Sequence, residues 1–379
     1  MVFKPRSAGG TMAQSDKIAL GTWLDTQAIR TTLANHTRGI DRSDAELLHR
    51  VYHDDAEVAY GFFDGPAHVF CTMMTDAPGG RTTMHRTSNV WIKFAGDNQA
   101  VSESYAFVYS ETQTEAGVTQ ALIGGRYLDR HEKRNGQWKL NHRIYVLEWN
   151  VNLPGTGTAD PGFTSALTSR GSKTREDPGA VLLSEWETDL ATGGSTMQIP
   201  KELVGATQAA LAKQDIHDLI MAQARATDRR DEVLLKSLWH AGATVDVGGF
   251  FTGPAPEYCE FVLQATAELK RMYHSVANEW SRVEGDTAVA ESYVIAFTTS
   301  GEETAEESSD MDELTGGRYL DRFERRDGVW KFTHRSYVLD WTMRQPSTDL
   351  SDEPDSMYAS LRTRGSAFPD DPVYALWAD

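Results

Sequence analysis

The chain has 379 residues, 40% hydrophobic and 24% charged. This is the make-up of a globular protein with room for two or three domains, and no apolar run is long enough to span a bilayer. A formal net charge of −18 repels polyanions at long range, so neither nucleic acid nor an anionic membrane surface is expected as a partner. Cys71 and Cys259 are the only cysteines, and the basic stretch Met1 to Gly10 has no apolar segment behind it. Both features point to a reducing compartment, and the expected location is cytoplasmic.

Apolar residues at three- and four-residue spacing predict a helix around 18–35, then a short one after Asp41 carrying Leu47, Leu48 and Val51. Gly65-Pro66 punctuates the turn into a third helix. Strands follow. Glu103, Tyr105, Phe107 and Tyr109 alternate, and Asn135-Gly136 marks a hairpin because both residues tolerate positive φ. The closing strand reads with Arg143, Tyr145, Leu147 and Trp149 on one face. Residues 150–200, rich in Pro, Gly, Thr and Ser, read as a tail and a linker.

The same order then recurs. A helix is expected over 206–226, a short one with Leu234, Leu235 and Leu238 after Asp228, and a turn at Gly253-Pro254. Glu291, Tyr293, Ile295 and Phe297 alternate, Asp327-Gly328 marks the hairpin, and Arg335, Tyr337, Leu339 and Trp341 close the series. Residues 300–313 form an acidic insertion between two strands, read as a solvated loop, with a gate over a pocket as the alternative.

The recurrence is a duplication. GGRYLDRHEKRNGQWKLNHRIYVLEW at 124–149 matches GGRYLDRFERRDGVWKFTHRSYVLDW at 316–341 in 18 of 26 positions. Asp41-Arg42-Ser43-Asp44 answers Asp228-Arg229-Arg230-Asp231, and Arg170-Gly171-Ser172 before Asp177 answers Arg364-Gly365-Ser366 before Asp371. A period of about 190 residues is a domain, not a solenoid turn. The expected division is a first domain with its tail over 15–180, a linker over 181–203 and a second domain with its tail over 204–379. Helices first, then an antiparallel meander, predicts an α+β fold whose curved sheet wraps around the N-terminal helices.

This order, with a lone His ahead of an Asn-x-Trp strand and GRYLDR before a closing His-Arg, resembles SnoaL-like domains of the nuclear-transport-factor-2 superfamily, once per half. Relatives there include scytalone dehydratase, bile-acid 7α-dehydratase, lindane dehydrochlorinase and lignin-diaryl formaldehyde lyases. The resemblance implies a cone with an apolar pocket, in which an Asp on the early helix orients a His that removes a proton. By position those residues are Asp41 with His85 and Asp228 with His274, 44 and 46 residues apart. An inward Arg on the last strand corresponds to Arg143 and Arg335. One departure stands out: several relatives carry a Tyr five residues before the Asp, where this chain has His36 and Gln223.

A His held by a carboxylate is fixed in one tautomer and made more basic, and an Arg beside it supplies charge for a developing anion. Pocket contacts are expected from Tyr60, Glu103, Tyr105 and Tyr145 in the first half, and from Asp246, Tyr273, Glu291, Tyr293 and Tyr337 in the second. The residues also admit plainer roles. The histidines suit a packed core, Asp41 and Asp228 suit helix N-caps, and Arg143 and Arg335 suit buried pairs with Glu103 and Glu291. Asp129 and Asp321 read as strand-to-strand ion-pair partners, His142 and His334 as structural, and Cys71 and Cys259 as core packing. No P-loop, dinucleotide fingerprint or zinc spacing occurs, so neither cofactor nor metal is expected.

The function expected is a cofactor-independent lyase acting on a small hydrophobic or aromatic alcohol by dehydration, dehydrohalogenation or retro-aldol loss of formaldehyde. An isomerase or hydrolase of a cyclic ketone or epoxide is the alternative enzyme, and a ligand-binding or assembly module the alternative outside catalysis. The second half, with Tyr273 and Asp246 near its His, is the favoured site. The two copies are expected to pair within the chain, with further self-association possible.

Overall fold

The structure, a computed structural model, describes residues 14–76, 81–114, 117–155, 172–173, 177–178, 204–303 and 308–378. The whole proposed linker and most of the first tail lie outside the described residues, as do 304–307 at the tip of the acidic insertion. The flanks of that insertion are strand, not loop.

Each half opens with a long helix. α1 (Gln14–Arg42) and α4 (Val204–Asp228) bury one stripe: Ile29, Leu33, His36 and Ile40 in the first, Ile216, Ile220, Gln223 and Thr227 in the second. The Asp-Arg-x-Asp motif explains how each helix stops. Ser43 and Arg230 adopt positive φ, 50° and 52°, which ends the helix. Asp44 and Asp231 then cap the next helices, α2 (Ala45–Val51) and α5 (Glu232–Ser237), by accepting from Leu47 N and Leu234 N, both at 2.9 Å. The N-cap role considered for Asp41 and Asp228 therefore belongs to their neighbours three residues on.

α3 (Ala67–Thr75) and α6 (Ala255–Ala265) bury Cys71 and Cys259 as packing, and burial pushes the thiols up to about 12 and about 11. The strands form two six-stranded mixed sheets with one order, β2-β1-β6-β5-β4-β3 and β8-β7-β12-β11-β10-β9. The first comprises β1 (Tyr52–Ala59), β2 (Asp64–Pro66), β3 (Arg81–Phe94), β4 (Gln99–Thr114), β5 (Gly117–Arg134) and β6 (Gln137–Pro154). The second comprises β7 (Trp239–Asp246), β8 (Thr252–Pro254), β9 (Arg271–Glu284), β10 (Thr287–Glu303), β11 (Ser308–Arg326) and β12 (Val329–Pro346). The central β1–β6 and β7–β12 pairings are parallel, so the sheet is not a pure meander. Asn135-Gly136 and Asp327-Gly328 turn the hairpins with φ of 52°, 78°, 53° and 82°.

A bulge changes one sequence-level expectation. Leu147 pairs with Gly125 and Trp149 with Gly124, leaving Glu148 as the extra residue. Trp149 therefore crosses to the outer face with Tyr105 and Phe107, while Leu147 stays in the inner core with Tyr145. The repeated Gly-Gly follows from this. A Cβ on Gly124 or Gly316 would lie 2.0 Å from the indole nitrogen of Trp149 or Trp341.

The two halves interlock. Ser88 Oγ meets Ser275 Oγ at 2.8 Å, and Asn89 bonds both His274 O (2.7 Å) and Val276 N (2.6 Å). Trp149 stacks on Phe297 with ring centroids 4.0 Å apart. The chain beyond β12, assigned by sequence to the second domain, packs against the first. Its Tyr358 and Leu361 join the first core, and Val373 and Leu376 of α7 (Pro372–Ala378) cover Leu128 and Val146. Among the described residues, no helix is long and apolar enough to cross a membrane.

Candidate active site

The C-terminal turn of each long helix delivers an aspartate to the first long strand of its sheet. Asp41 accepts from His85 N at 2.8 Å and pairs with His85 Nδ1 at 2.6 Å, and Thr83 Oγ1 adds a bond of 2.9 Å. Asp228 accepts from His274 N at 3.0 Å and pairs with His274 Nδ1 at 2.5 Å. Its further donor comes from the other half, where Tyr105 Oη reaches Oδ2 at 2.9 Å. Two contacts per pair lock the ring orientation, and a carboxylate on Nδ1 leaves Nε2 as the basic nitrogen. Neither Nε2 has a hydrogen-bond partner among the described residues. The imidazoles are 14% and 17% exposed. Burial opposes the Asp41 charge, but the His85 and Thr83 contacts outweigh it and hold the carboxyl below its usual range.

Arg143 and Arg335 are placed differently from the sequence expectation. Cross-strand pairing sets Arg143 opposite Asp129 and Arg335 opposite Asp321. Each guanidinium makes a bidentate pair, with bonds of 2.7 and 2.8 Å in both halves. A tyrosine ring caps each one, Tyr127 and Tyr319, both at 4.0 Å. Burial opposes the positive charge, but Asp129 and Asp321 overcome it, so both arginines stay protonated. The partners are thus Asp129 and Asp321 instead of Glu103 and Glu291. A neutralised pair also offers little net charge to a developing anion. Arg143 Nη1 faces the first cone with no hydrogen-bond partner among the described residues. Arg335 Nη1 donates to Gln223 Oε1.

The position five residues before the aspartate proves central to both cones. His36 is buried between Tyr52 and Tyr127, at centroid distances of 5.8 and 5.7 Å, and neither ring nitrogen has a partner among the described residues. Burial holds its imidazole well below the usual range, and the Arg143 and His85 charges lower it further, so it is neutral. Tyr127, Tyr319, Tyr52 and Tyr258 belong to these cones and were missed by the sequence reading. The available signal was the shared GRYLDR, whose Tyr lies two residues before the paired Asp and so faces the same side of the strand.

The two cones differ in filling. In the first, Tyr60 stacks on Phe70 and Tyr145 at 4.5 and 5.6 Å, and Tyr358 and Leu361 pack over this cluster. In the second, Val247 stands where the first has Tyr60, and Tyr319 and Tyr337 are only half-buried.

The other expected pocket residues are not gathered there. Glu103 and Tyr105 face outward, toward the second half. Glu103 lies in a buried ion cluster, accepting from Arg126 Nη1 at 2.6 Å, and Asp371 joins Arg126 (2.6 Å) to Arg229 (3.1 Å). Tyr273 packs against Tyr105 at 4.8 Å in the contact between halves. Glu291 pairs with Arg318 at 3.4 Å on the outer face, where Tyr293 is exposed. Asp246 serves the β7–β8 turn, accepting from Gly248 N and Thr252 Oγ1, both at 2.9 Å. His334 bonds Thr244 and Ser336 at 2.8 and 2.9 Å.

Two cavities open elsewhere. One of about 450 Å³ lies among Arg282, Thr287 and Glu324, and one of about 300 Å³ lies where the halves meet, bordered by Arg30, Asn89, His217 and Asn278. No dyad side chain lines either.

A family model described as a SnoaL-like domain matches residues 22–144 and, again, 208–336. No curated protein matches the chain. Among solved structures, a type 2 hexachlorocyclohexane dehydrochlorinase is similar at 20% identity and a TM-score of 0.35, over 38% of this chain and 98% of that one. The type 3 enzyme from Novosphingobium barchaimii shares 24% identity over 36% of this chain and 90% of that one, with a TM-score of 0.30. An NTF2-like protein from Novosphingobium aromaticivorans shares 21% identity over 38% and 91%, with a TM-score of 0.30.

Proposed function

Because the chain belongs to the SnoaL-like domain family, with one copy in each half, a module that binds or converts small molecules, we propose that it is a lyase driven by His–Asp acid–base chemistry. The observation carrying this reading is the pair repeated in both halves: Nδ1 held by a carboxylate at 2.6 and 2.5 Å, with Nε2 left without a partner among the described residues. An Nε2 lone pair fixed in this way removes a proton from carbon or from a hydroxyl group. In a dehydration, the C–H electrons form the double bond, the C–O bond breaks, and the imidazolium returns its proton to the departing hydroxyl. In a retro-aldol step, the hydroxyl proton goes to Nε2, the C–C bond breaks with loss of formaldehyde, and the carbanion takes the proton back. Each sequence balances with side-chain proton transfers alone.

The second half is the proposed working site. Val247 in place of Tyr60 and the half-buried Tyr319 and Tyr337 leave its cone the more open, and these aromatic walls suit a small hydrophobic, ring-bearing alcohol. Gln223 and Arg335 would orient a polar substituent.

A second reading rests on a specific contact. Each aspartate also binds the backbone N of its histidine, a latch that would hold helix to strand in a non-catalytic binding module. The test is turnover by purified protein on diaryl diols, hydroxysteroids, polyketide alcohols and chlorinated rings, read by mass spectrometry for loss of water, HCl or formaldehyde. Product that is abolished in His274→Ala supports the lyase. Ligand-induced thermal stabilisation without product from any class supports the binding module.

A further inference from the structure

The contact between the two halves is heterologous: the first half offers its outer sheet face, and the second offers its dyad face. Tyr105 reaches Asp228, Asn89 reaches the β9 backbone, Trp149 stacks on Phe297, and Glu148 pairs with Arg229 at 3.2 Å. None of these contacts has its mirror image among the described residues. Since the halves are copies, each therefore keeps one unused face.

The unused outer face of the second half carries the equivalents of the residues that dock the first. Tyr293 stands for Tyr105, Trp341 for Trp149 and Trp280 for Trp91; they are 46%, 46% and 60% exposed. Asn278 stands for Asn89, even to its left-handed φ of 49° against 47°, and is exposed. Asp340, 39% exposed, stands for Glu148.

The unused dyad face of the first half matches the other partner. Met84, 53% exposed, stands for the buried Tyr273. Arg42, 30% exposed, stands for Arg229, which is 2% exposed. Its surroundings are already built: Ser172 N donates to Asp177 at 3.0 Å and Arg42 approaches Asp177 at 3.8 Å, as Ser366 N donates to Asp371 at 2.9 Å and Arg229 approaches it at 3.1 Å. Asp41 Oδ2 accepts one hydrogen bond, whereas Asp228 Oδ2 accepts a second from Tyr105.

We propose that the outer sheet face of the second half binds the dyad face of the first half in a second copy of this chain, repeating the internal contact between chains. Trp341 covers the β3–β4 surface around Met84, Asp340 pairs with Arg42, and Tyr293 donates to Asp41. The occupant is a second copy because both surfaces descend from one contact that this chain already makes with itself. A heterologous contact closes into a ring or propagates according to its rotation, and it is not self-complementary.

That property supplies the test, which uses no enzymatic readout and stands apart from the proposed function. Full-length protein is followed by sedimentation equilibrium. Wild type associates. Trp341→Asp, which lacks the outer face, and Arg42→Glu, which lacks the dyad face, are each monomeric, with wild-type circular dichroism. Mixing the two restores association, because one intact face of each kind remains, and it stops at a dimer. Met84→Lys repeats the outcome of Arg42→Glu. A monomeric wild type overturns the proposal, and so does a mixture that stays monomeric. A monomer whose Trp341 is shielded from a soluble quencher assigns the face to another segment of the same chain, which also overturns it.

Discussion

Tyr105, on the fourth strand of the first half, donates its hydroxyl proton to Asp228 of the second half at 2.9 Å. The second dyad is therefore completed by the first domain, while the first dyad takes its extra donor from Thr83 on its own strand. The duplicated domains are not two independent sites placed side by side. One shapes the carboxylate of the other.

Tyr105→Phe removes that donor and leaves Asp228 in place. The expected cost is about 1 kcal/mol of stability for one lost hydrogen bond, measured as a lower urea midpoint. Under the proposed function, turnover falls with it.

Asp371→Asn tests the ion cluster that joins the halves. The carboxylate serves Arg126 and Arg229 in a site with no exposed side-chain surface at Asp371. Removing its charge leaves two buried guanidinium groups short of a counterion, so a loss of about 3–5 kcal/mol is expected in denaturant unfolding. A change well under 1 kcal/mol would mean that Glu103 and Glu148 suffice.

The same residue sets an acid limit. Burial opposes the Asp371 charge, but Arg126 and Arg229 more than offset this and bring the carboxyl down to about 2 from an ordinary 3.8. A depressed carboxylate stabilises the fold fully above its unfolded value, and that stability is lost as pH falls through the folded value. The shift corresponds to roughly 2 kcal/mol, lost between about pH 4 and pH 2. Unfolding free energies across that window should show a smaller slope in Asp371→Asn than in wild type.

Val247→Tyr places in the second cone the ring that fills the first. KM is expected to rise severalfold, with the secondary structure unchanged by circular dichroism. An unchanged KM would move the substrate out of that cone.

Much of this was legible because the chain repeats itself. The pairing of Asp41 with His85 and of Asp228 with His274 came from the resemblance to SnoaL-like domains, and both copies keep it in the same order at nearly the same separation. The α+β order, the hairpins at Asn135-Gly136 and Asp327-Gly328, and the core cysteines followed from local chemistry. What local chemistry does not encode was misread. One bulge residue, Glu148, sends Trp149 to the opposite face from Arg143, and alternation by twos carries no mark of it. The partners of Arg143 and Arg335 depend on cross-strand register, which set them opposite Asp129 and Asp321. Glu103 and Tyr105 were assigned to a pocket because their strand alternates, yet the burial of that outer face comes from the other half, a tertiary fact that periodicity cannot report.

The central claim is that His274, held by Asp228, is a working base. The most direct measurement is product formation by wild type, His85→Ala, His274→Ala and the double variant on whichever compound the screen turns over. The account predicts that His274→Ala loses on the order of 10²–10⁴ in rate, that His85→Ala stays near wild type, and that the double variant matches His274→Ala. Full turnover in His274→Ala, with its fold intact by circular dichroism, would contradict it.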